Sequence, residues 1–162
     1  MEKVTLTTII SQIIFCFISL TAFSQPLSIQ WQNAFGGSMY DYTKEVAPTS
    51  DGGFISIGYT ESADGNVSFN HGGGDCWIIK SNASGLVQWE KTYGGTSFDY
   101  GYSIQQTTDG GYILAGYTES TDGDVTSNHG AGDSWIIKLD NAGVIQWEKT
   151  FGGSANDNAQ SV

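Results

Sequence analysis

The residues of this chain best suited to chemistry lie in two acidic segments, each built around a glycine. Residues 119–124 read Glu-Ser-Thr-Asp-Gly-Asp, and residues 61–66 read Glu-Ser-Ala-Asp-Gly-Asn. Oxygen ligands at alternate positions around a tight turn suit Ca²⁺, which takes several oxygens at about 2.3–2.6 Å. Asp-Gly pairs also occur simply because they form turns, and both segments lack the spacing and terminal glutamate of an EF-hand loop.

Calcium binding and plain turn formation are therefore the two open interpretations of these segments. A calcium site would combine the carboxylates of each segment with the aspartate that ends its loop, and the copy with fewer charges would bind more weakly. The candidate ligands are Asp122, Asp124 and Asp133 in the stronger copy, and Asp64, Asn66 and Asp75 in the weaker copy. The sequence indicates no cofactor besides Ca²⁺.

Aromatic residues beside two aspartates form a second candidate site. They follow or overlap glycine pairs, so we expect them in or beside the loops between structural units rather than in strands. Loops on a rigid scaffold commonly carry binding surfaces. Rings next to a carboxylate could stack on a sugar or hold a peptide. The candidate ligand-binding residues are Tyr40, Asp41, Tyr42, Phe98, Asp99, Tyr100 and Tyr102.

No residues of the chain form a recognisable catalytic set. His71 and His129 occur in the same local context, each near an aspartate but without the further ligands that zinc requires, so we expect each imidazole to bond its own loop backbone. Cys76 corresponds to Ser134 after a shift of 58 residues, which favours a small strand residue over a reactive thiol. The sequence therefore predicts no catalytic residues in this chain.

A 58-residue repeat positions all these residues. Residues 31–88 and 89–146 form two complete copies, and a third copy begins at 147. Each copy alternates short apolar runs with glycine-rich turns and lacks a helical period, which predicts four strands per copy. For the second copy we expect strands at 102–107, 112–118, 134–139 and 144–151. Repeats of this length typically stack, because one unit cannot bury its apolar face alone. The predicted fold is all-β, with β-propeller-like four-stranded antiparallel blades.

Four motifs recur within the repeat. They are G-G-[ST]-x-x-D at 36–41, 94–99 and 152–157, D-G-G-[FY]-I at 51–55 and 109–113, G-Y-T at 58–60 and 116–118, and D-x-W-I-I-K at 75–80 and 133–138. With these motifs the unit resembles the seven-bladed β-propeller repeats of secreted bacterial proteins, over residues 29–162. The resemblance implies a fold and an exported or surface location, but no particular activity.

The first residues and the charge of the chain bear on its location. Residues 1–24 combine Lys3, an apolar run at 9–20 and small residues before position 25, which predicts a cleaved signal sequence and no stable membrane span after cleavage. The mature domain is then 25–162, secreted or at the cell surface. The formal net charge of −11 argues against nucleic acid and anionic membranes as partners.

Little more than two repeats cannot close a ring, because closed propellers need about 4 to 8 blades. We therefore expect an incomplete propeller, with two full blades plus partial ones and an apolar blade face at each end. Further blades of a longer chain, or a homo-oligomer, would cover those faces. The predicted function is binding or display, with a glycan or a protein at the cell surface as the partner. The alternative is the scaffold part of a secreted glycan-active enzyme whose catalytic residues lie outside this chain.

Overall fold

The computed structural model describes residues 28–162, so the predicted signal sequence at 1–24 lies outside the described residues. This part of the chain is all-β, and it contains no helix that could cross a membrane. Eight strands form two separate four-stranded antiparallel sheets. The strands are β1 (Asp41–Pro48), β2 (Phe54–Thr60), β3 (Asp75–Ser81), β4 (Val87–Tyr93), β5 (Asp99–Gln106), β6 (Tyr112–Thr118), β7 (Asp133–Leu139) and β8 (Ile145–Phe151).

Each sheet is a simple meander, with strand orders β1-β2-β3-β4 and β5-β6-β7-β8. Tight turns join the first two strands of each blade, and Gly52 and Gly110 adopt φ values of 80° and 84° there. Such positive φ angles are readily available only to glycine, which explains the repeated Asp-Gly-Gly turn. The predicted all-β, propeller-like fold is confirmed, and the two blades do not close into a ring.

The first strand of each blade differs from the prediction. Strand β5 begins at Asp99 rather than at 102, because Asp99 pairs with Thr118 of β6. Tyr100 therefore lies in a strand, and Tyr42 lies in β1, so the expectation that these two tyrosines sit in or beside a loop is wrong. Tyr102 lies within β5, where a strand was expected to begin.

Both first strands contain a β-bulge at the same repeat position. The pairing register of β1 shifts between Thr43 and Glu45, and that of β5 shifts between Gly101 and Ser103. The extra residues are Lys44 in the first blade and Tyr102 in the second. Bulges redirect side chains and are common beside binding sites.

The two blades pack face to face, and the main apolar core lies between them. Strand β5 crosses the face of the first blade and contacts β1, β2 and β3. Ile57 and Ile78 of the first blade belong to the same buried cluster as Leu114, Trp135 and Ile137 of the second. Burial of apolar surface stabilises folding by about 25 cal/mol per Å², so each blade depends on the other for this contribution.

Residues before β1 lie on the outer face of the first blade in the manner of a fourth strand. The side-chain amide of Asn33 donates to the backbone carbonyl of Gly85 at 2.8 Å. One repeat later, Lys91 of β4 donates to the carbonyl of Gly143 at 3.2 Å. The segment around Asn33 thus takes the place that β4 takes on the second blade, although it pairs with no strand of the described chain.

Residues after β8 approach the second blade as the start of β5 approaches the first, although they form only an isolated bridge. The amide of Asp157 donates to the carbonyl of Gly132 at 2.9 Å, and the amide of Asp99 makes the corresponding bond to Gly74 at 2.8 Å. The described chain is therefore two full blades with a partial blade on either side.

The far face of the second blade is partly open. Tyr93 and Phe151 occupy the same repeat position, yet Tyr93 is 3% exposed between the blades and Phe151 is 56% exposed. Ile136 is half-buried, whereas its counterpart Ile78 is fully buried. This is the open apolar blade face that the sequence analysis expects.

The close approach of the blades makes Gly101 a sensitive position. A Cβ at Gly101 would overlap Ile57 and lie 2.7 Å from the sulfur of Cys76. We expect Gly101→Ala to lower the free energy of unfolding by about 1–3 kcal/mol, the usual cost of overpacking a core, in denaturant titrations.

Gly153→Ala is the matched control, because a Cβ there would meet no atom within 4 Å. In a protein that already carries Ile57→Ala, Gly101→Ala should lower the free energy of unfolding by less, because the overlapping side chain is gone. An equal cost in both backgrounds would contradict the proposed contact.

Candidate functional site

Seven aromatic side chains form one continuous group across the boundary between the blades. Its tightest contact joins Tyr59 of the first blade to Tyr100 of the second, whose ring centroids are 4.5 Å apart with planes 12° from parallel. Tyr42 lies 5.6 Å from Tyr59, and Tyr102 lies 6.3 Å from Tyr100. We call this group the aromatic cluster, and it consists of Tyr40, Tyr42, Tyr59, Phe98, Tyr100, Tyr102 and Tyr117.

The structure thus brings together all the aromatic residues that the sequence nominated, and it adds two. Tyr59 and Tyr117 belong to the Gly-Tyr-Thr motif of the second strands, which the sequence showed only as a repeated motif. Each lies directly opposite a nominated ring, with Tyr59 paired to Tyr42 and Tyr117 paired to Tyr100. The signal that could have identified them is this cross-strand register, which follows from the short turn that joins the two strands.

Exposure within the aromatic cluster is graded. Tyr59 and Tyr117 are buried, whereas Tyr40 is 62% exposed and Phe98 is 42% exposed. Tyr42, Tyr100 and Tyr102, which lie in the first strands, are half-buried. The buried rings therefore support a layer of accessible rings, and this layer could stack on a flat or apolar ligand group.

The hydroxyl groups of the buried tyrosines are held by glutamates. Tyr59 donates to Glu61 and Tyr117 donates to Glu119, both at 2.9 Å. Burial raises the pKa of Tyr117 to about 12, with the hydrogen bond to Glu119 contributing, and it raises the pKa of Tyr42 to about 12. The phenols consequently stay neutral at physiological pH, and the carboxylates supply the negative charge beside them.

Asp41 and Asp99, nominated as ligand-binding residues, are used inside the fold. Asp99 is fully buried, and its carboxylate accepts the amide N–H of Gly95 and the hydroxyl of Ser120, both at 2.8 Å, together with the hydroxyl of Thr118. Asp41 accepts the equivalent three bonds in the first blade. These bonds join the Gly-Gly-[Ser/Thr]-x-x-Asp and Gly-Tyr-Thr-Glu-Ser motifs, so they hold the loop that leads into each first strand.

A second buried carboxylate lies close to Asp99. A Cβ on Gly94 would lie 2.9 Å from Oδ1 of Asp75 and would also overlap the carboxylate of Asp99, so both groups approach the same face of this glycine. Oδ1 of Asp75 is buried and accepts no hydrogen bond in the described part of the chain, and the same holds for Asp133 in the next repeat. Burial raises the pKa of Asp75, and it raises the pKa of Asp99 to about 6.

The histidines bond carboxylates rather than loop backbone. Nδ1 of His71 lies 2.7 Å from Oδ2 of Asp75, and Nδ1 of His129 lies 2.6 Å from Oδ2 of Asp133. The expectation of a backbone partner is therefore wrong. Nε2 of His71 also lies 3.7 Å from Asp124 of the second blade, across the blade boundary.

The nominated calcium ligands take part in turn and loop contacts. Asp122 accepts the amide N–H of Thr96 at 2.8 Å and its hydroxyl at 2.9 Å, and Asp64 accepts the amide N–H of Ser38 at 2.7 Å. Within residues 28–162 no group of three or more His, Cys, Asp or Glu side chains is arranged to hold a metal ion. These residues therefore have a structural role in the loops, and calcium binding stays a prediction.

Two grooves lie along the blade boundary. One, of about 410 Å³, is lined among others by Phe69, His71, Lys91 and Asp124. The other, of about 400 Å³, contains Lys80, which is buried and forms a 2.9 Å ion pair with Asp51. That ion pair, like its repeat counterpart, ties the third strand to the turn between the first two strands.

Models of known protein families do not match this chain, and neither do curated proteins.

The burial of Asp99 predicts an inverted pH dependence. Because its folded pKa of about 6 lies above the usual value of 3.8, the folded state binds the proton more tightly. The contribution to stability is full below pH 4 and is lost as the pH rises through 6. In denaturant titrations the free energy of unfolding should fall by up to about 3 kcal/mol between pH 4 and pH 7 because of this group. Asp99→Asn should abolish that part of the fall.

Asp140→Asn is the control for this measurement, because Asp140 only accepts bonds within its own turn. It should retain the loss of stability between pH 4 and pH 7 that Asp99→Asn removes. An identical pH dependence in wild type and Asp99→Asn would show that this carboxyl group does not titrate in the stated range.

Calorimetric titration decides the calcium interpretation. A loop site requires heat and a higher melting temperature at millimolar Ca²⁺, and Asp122→Asn should reduce both because calcium affinity falls as carboxylates are lost. The absence of heat with the wild-type protein would mean that these loops are only turns.

Proposed function

We propose that this chain is an exported, non-catalytic binding module of the β-propeller type, and that its aromatic cluster holds a glycan or protein ligand. The motifs that resemble the propeller repeats of secreted bacterial proteins support this assignment, as does the predicted signal sequence. Accessible rings on a rigid sheet are well suited to stacking against a ligand, because they lose little conformational freedom on binding.

The rings of the aromatic cluster are not common to all copies of the repeat. The repeat places Tyr42 and Tyr100 in its first two copies but Asn158 in the third, and Lys44 and Tyr102 in the first two copies but Gln160 in the third. The first blade forms with Lys44 where the second carries Tyr102, so a blade does not require a ring at that position. The residues that build the blade, such as Asp41, Asp99 and Asp157, are unchanged in all three copies. Rings that the fold does not demand, gathered into one accessible group, favour a role in binding.

The test combines an array of glycans with a variant of the cluster. Tyr100→Leu with Tyr102→Leu removes the rings while keeping apolar contact with Tyr59. We expect this variant to bind a glycan that the wild-type protein retains at least about tenfold more weakly, or not at all. The reason is that stacking and burial of two rings contribute a few kcal/mol to binding.

Phe69→Ala is the matched control, because Phe69 is an exposed aromatic residue outside the aromatic cluster, at 57% exposure. It should leave binding unchanged. If no glycan binds, the same variants are compared on extracellular protein ligands. The proposal fails if every ligand found binds the cluster variant and the wild type equally well.

A further inference from the structure

The surroundings of the aromatic cluster are acidic. Glu61 and Glu119 are half-buried at its edge, and each accepts a tyrosine hydroxyl through one carboxylate oxygen. In the part of the chain that the structure covers, neither glutamate forms an ion pair. The backbone places these glutamates beside exposed rings, because the amide of Glu61 bonds the carbonyl of Tyr40 and the amide of Glu119 bonds that of Phe98, both at 2.9 Å.

The chain already places one cation on this surface. The ammonium group of Lys44 lies 6.0 Å from the centroid of the Tyr102 ring. Lys44 and Tyr102 hold the same repeat position, at the bulge of each first strand. A cation over a tyrosine face is attracted by the negative charge of the ring face, and nearby carboxylates strengthen the attraction.

The spacing of the rings fits an extended peptide. Phe98 directly precedes β5, and Tyr100 and Tyr102 follow at every second residue, with ring centroids 6.5 and 6.3 Å apart. Side chains on one face of an extended chain are separated by about 6.6 Å, which is twice the rise per residue. Guanidinium groups at alternate positions of such a chain could each lie against one ring, since guanidinium stacks on aromatic faces.

We propose that the aromatic cluster binds a basic, extended segment of a partner protein, with arginine or lysine side chains on the tyrosine rings and Glu61 and Glu119 as counter-charges. This inference rests on the proposed function, because it names the ligand class of the same site. The site should prefer a basic protein segment over a neutral glycan, because rings and carboxylates without ion-pair partners together complement positive charge.

The test uses two blocked, fluorescently labelled peptides. One alternates arginine and serine, and the other carries citrulline in place of each arginine, which removes the charge but keeps the shape. Measured by fluorescence anisotropy with the purified protein, the arginine peptide should bind at least about tenfold more tightly, and added salt should reduce the difference.

Variants assign this binding to the cluster. Glu61→Gln with Glu119→Gln should weaken the arginine peptide about fivefold or more, while the acceptor oxygens for Tyr59 and Tyr117 remain. Glu90→Gln with Glu148→Gln is the matched control. It removes the same charge from β4 and β8, where these glutamates accept bonds from tryptophan rings, and it should leave the affinity unchanged.

Lys44→Gln should raise the affinity for the arginine peptide about twofold, because it frees the face of Tyr102. Equal affinities for the arginine and citrulline peptides would overturn the inference, and so would equal losses in the two glutamine pairs. If a neutral oligosaccharide binds in a manner that depends on Tyr100 and Tyr102 while the arginine peptide does not, only the ligand class proposed here is wrong. If the cluster variant alters no binding at all, the proposed function itself fails.

Discussion

The packing of one blade against the next is the interaction on which the rest of this structure depends. A four-stranded sheet with two apolar faces cannot bury both by itself, so the core forms between sheets rather than within one. Gly101 lets β5 lie close against Ile57 and Cys76. The same approach creates the stacking of Tyr59 on Tyr100, and the candidate site is therefore a product of blade packing.

Most of the repeated motif residues are bonded to one another inside a blade. Lys138 forms an ion pair with Asp109, Trp135 donates to Glu148, and Asp99 accepts the hydroxyls of Thr118 and Ser120. These bonds link strands and turns that are distant in sequence, and buried polar groups require such partners. Strong repetition in this chain thus marks architecture, and the positions that vary between copies are the better guide to function.

Negative charge is distributed between two roles in this molecule. Asp75 and Asp99 are buried near the blade boundary, where burial raises the pKa of both carboxyl groups. Glu61 and Glu119 are half-buried at the edge of the aromatic cluster, where they accept tyrosine hydroxyls. Burial thus separates the carboxylates enclosed within the fold from those that stay partly exposed to solvent.

The sequence by itself determined the repeat, the all-β class and the division into four-stranded blades. Alternating side chains and Asp-Gly-Gly turns are local features, and short-range sterics are enough to interpret them. The end of β7 at Leu139 and the whole of β6 agree with the expectation, whereas the start of β5 does not. Pairing of Asp99 with Thr118 extends that strand, and a side-chain bond joins the same two residues, which are 19 positions apart.

Only the tertiary structure decided what the tyrosines and aspartates do. Sequence proximity suggested that Asp99 and Tyr100 act together on a ligand, yet alternation along a strand directs one side chain into the fold and leaves the other half-exposed. Tyr59 was not among the candidate residues, because nothing local reveals which surface a strand will face. Its place in the aromatic cluster follows from the position of the second blade, which is set by the summed packing of many side chains rather than by any short motif.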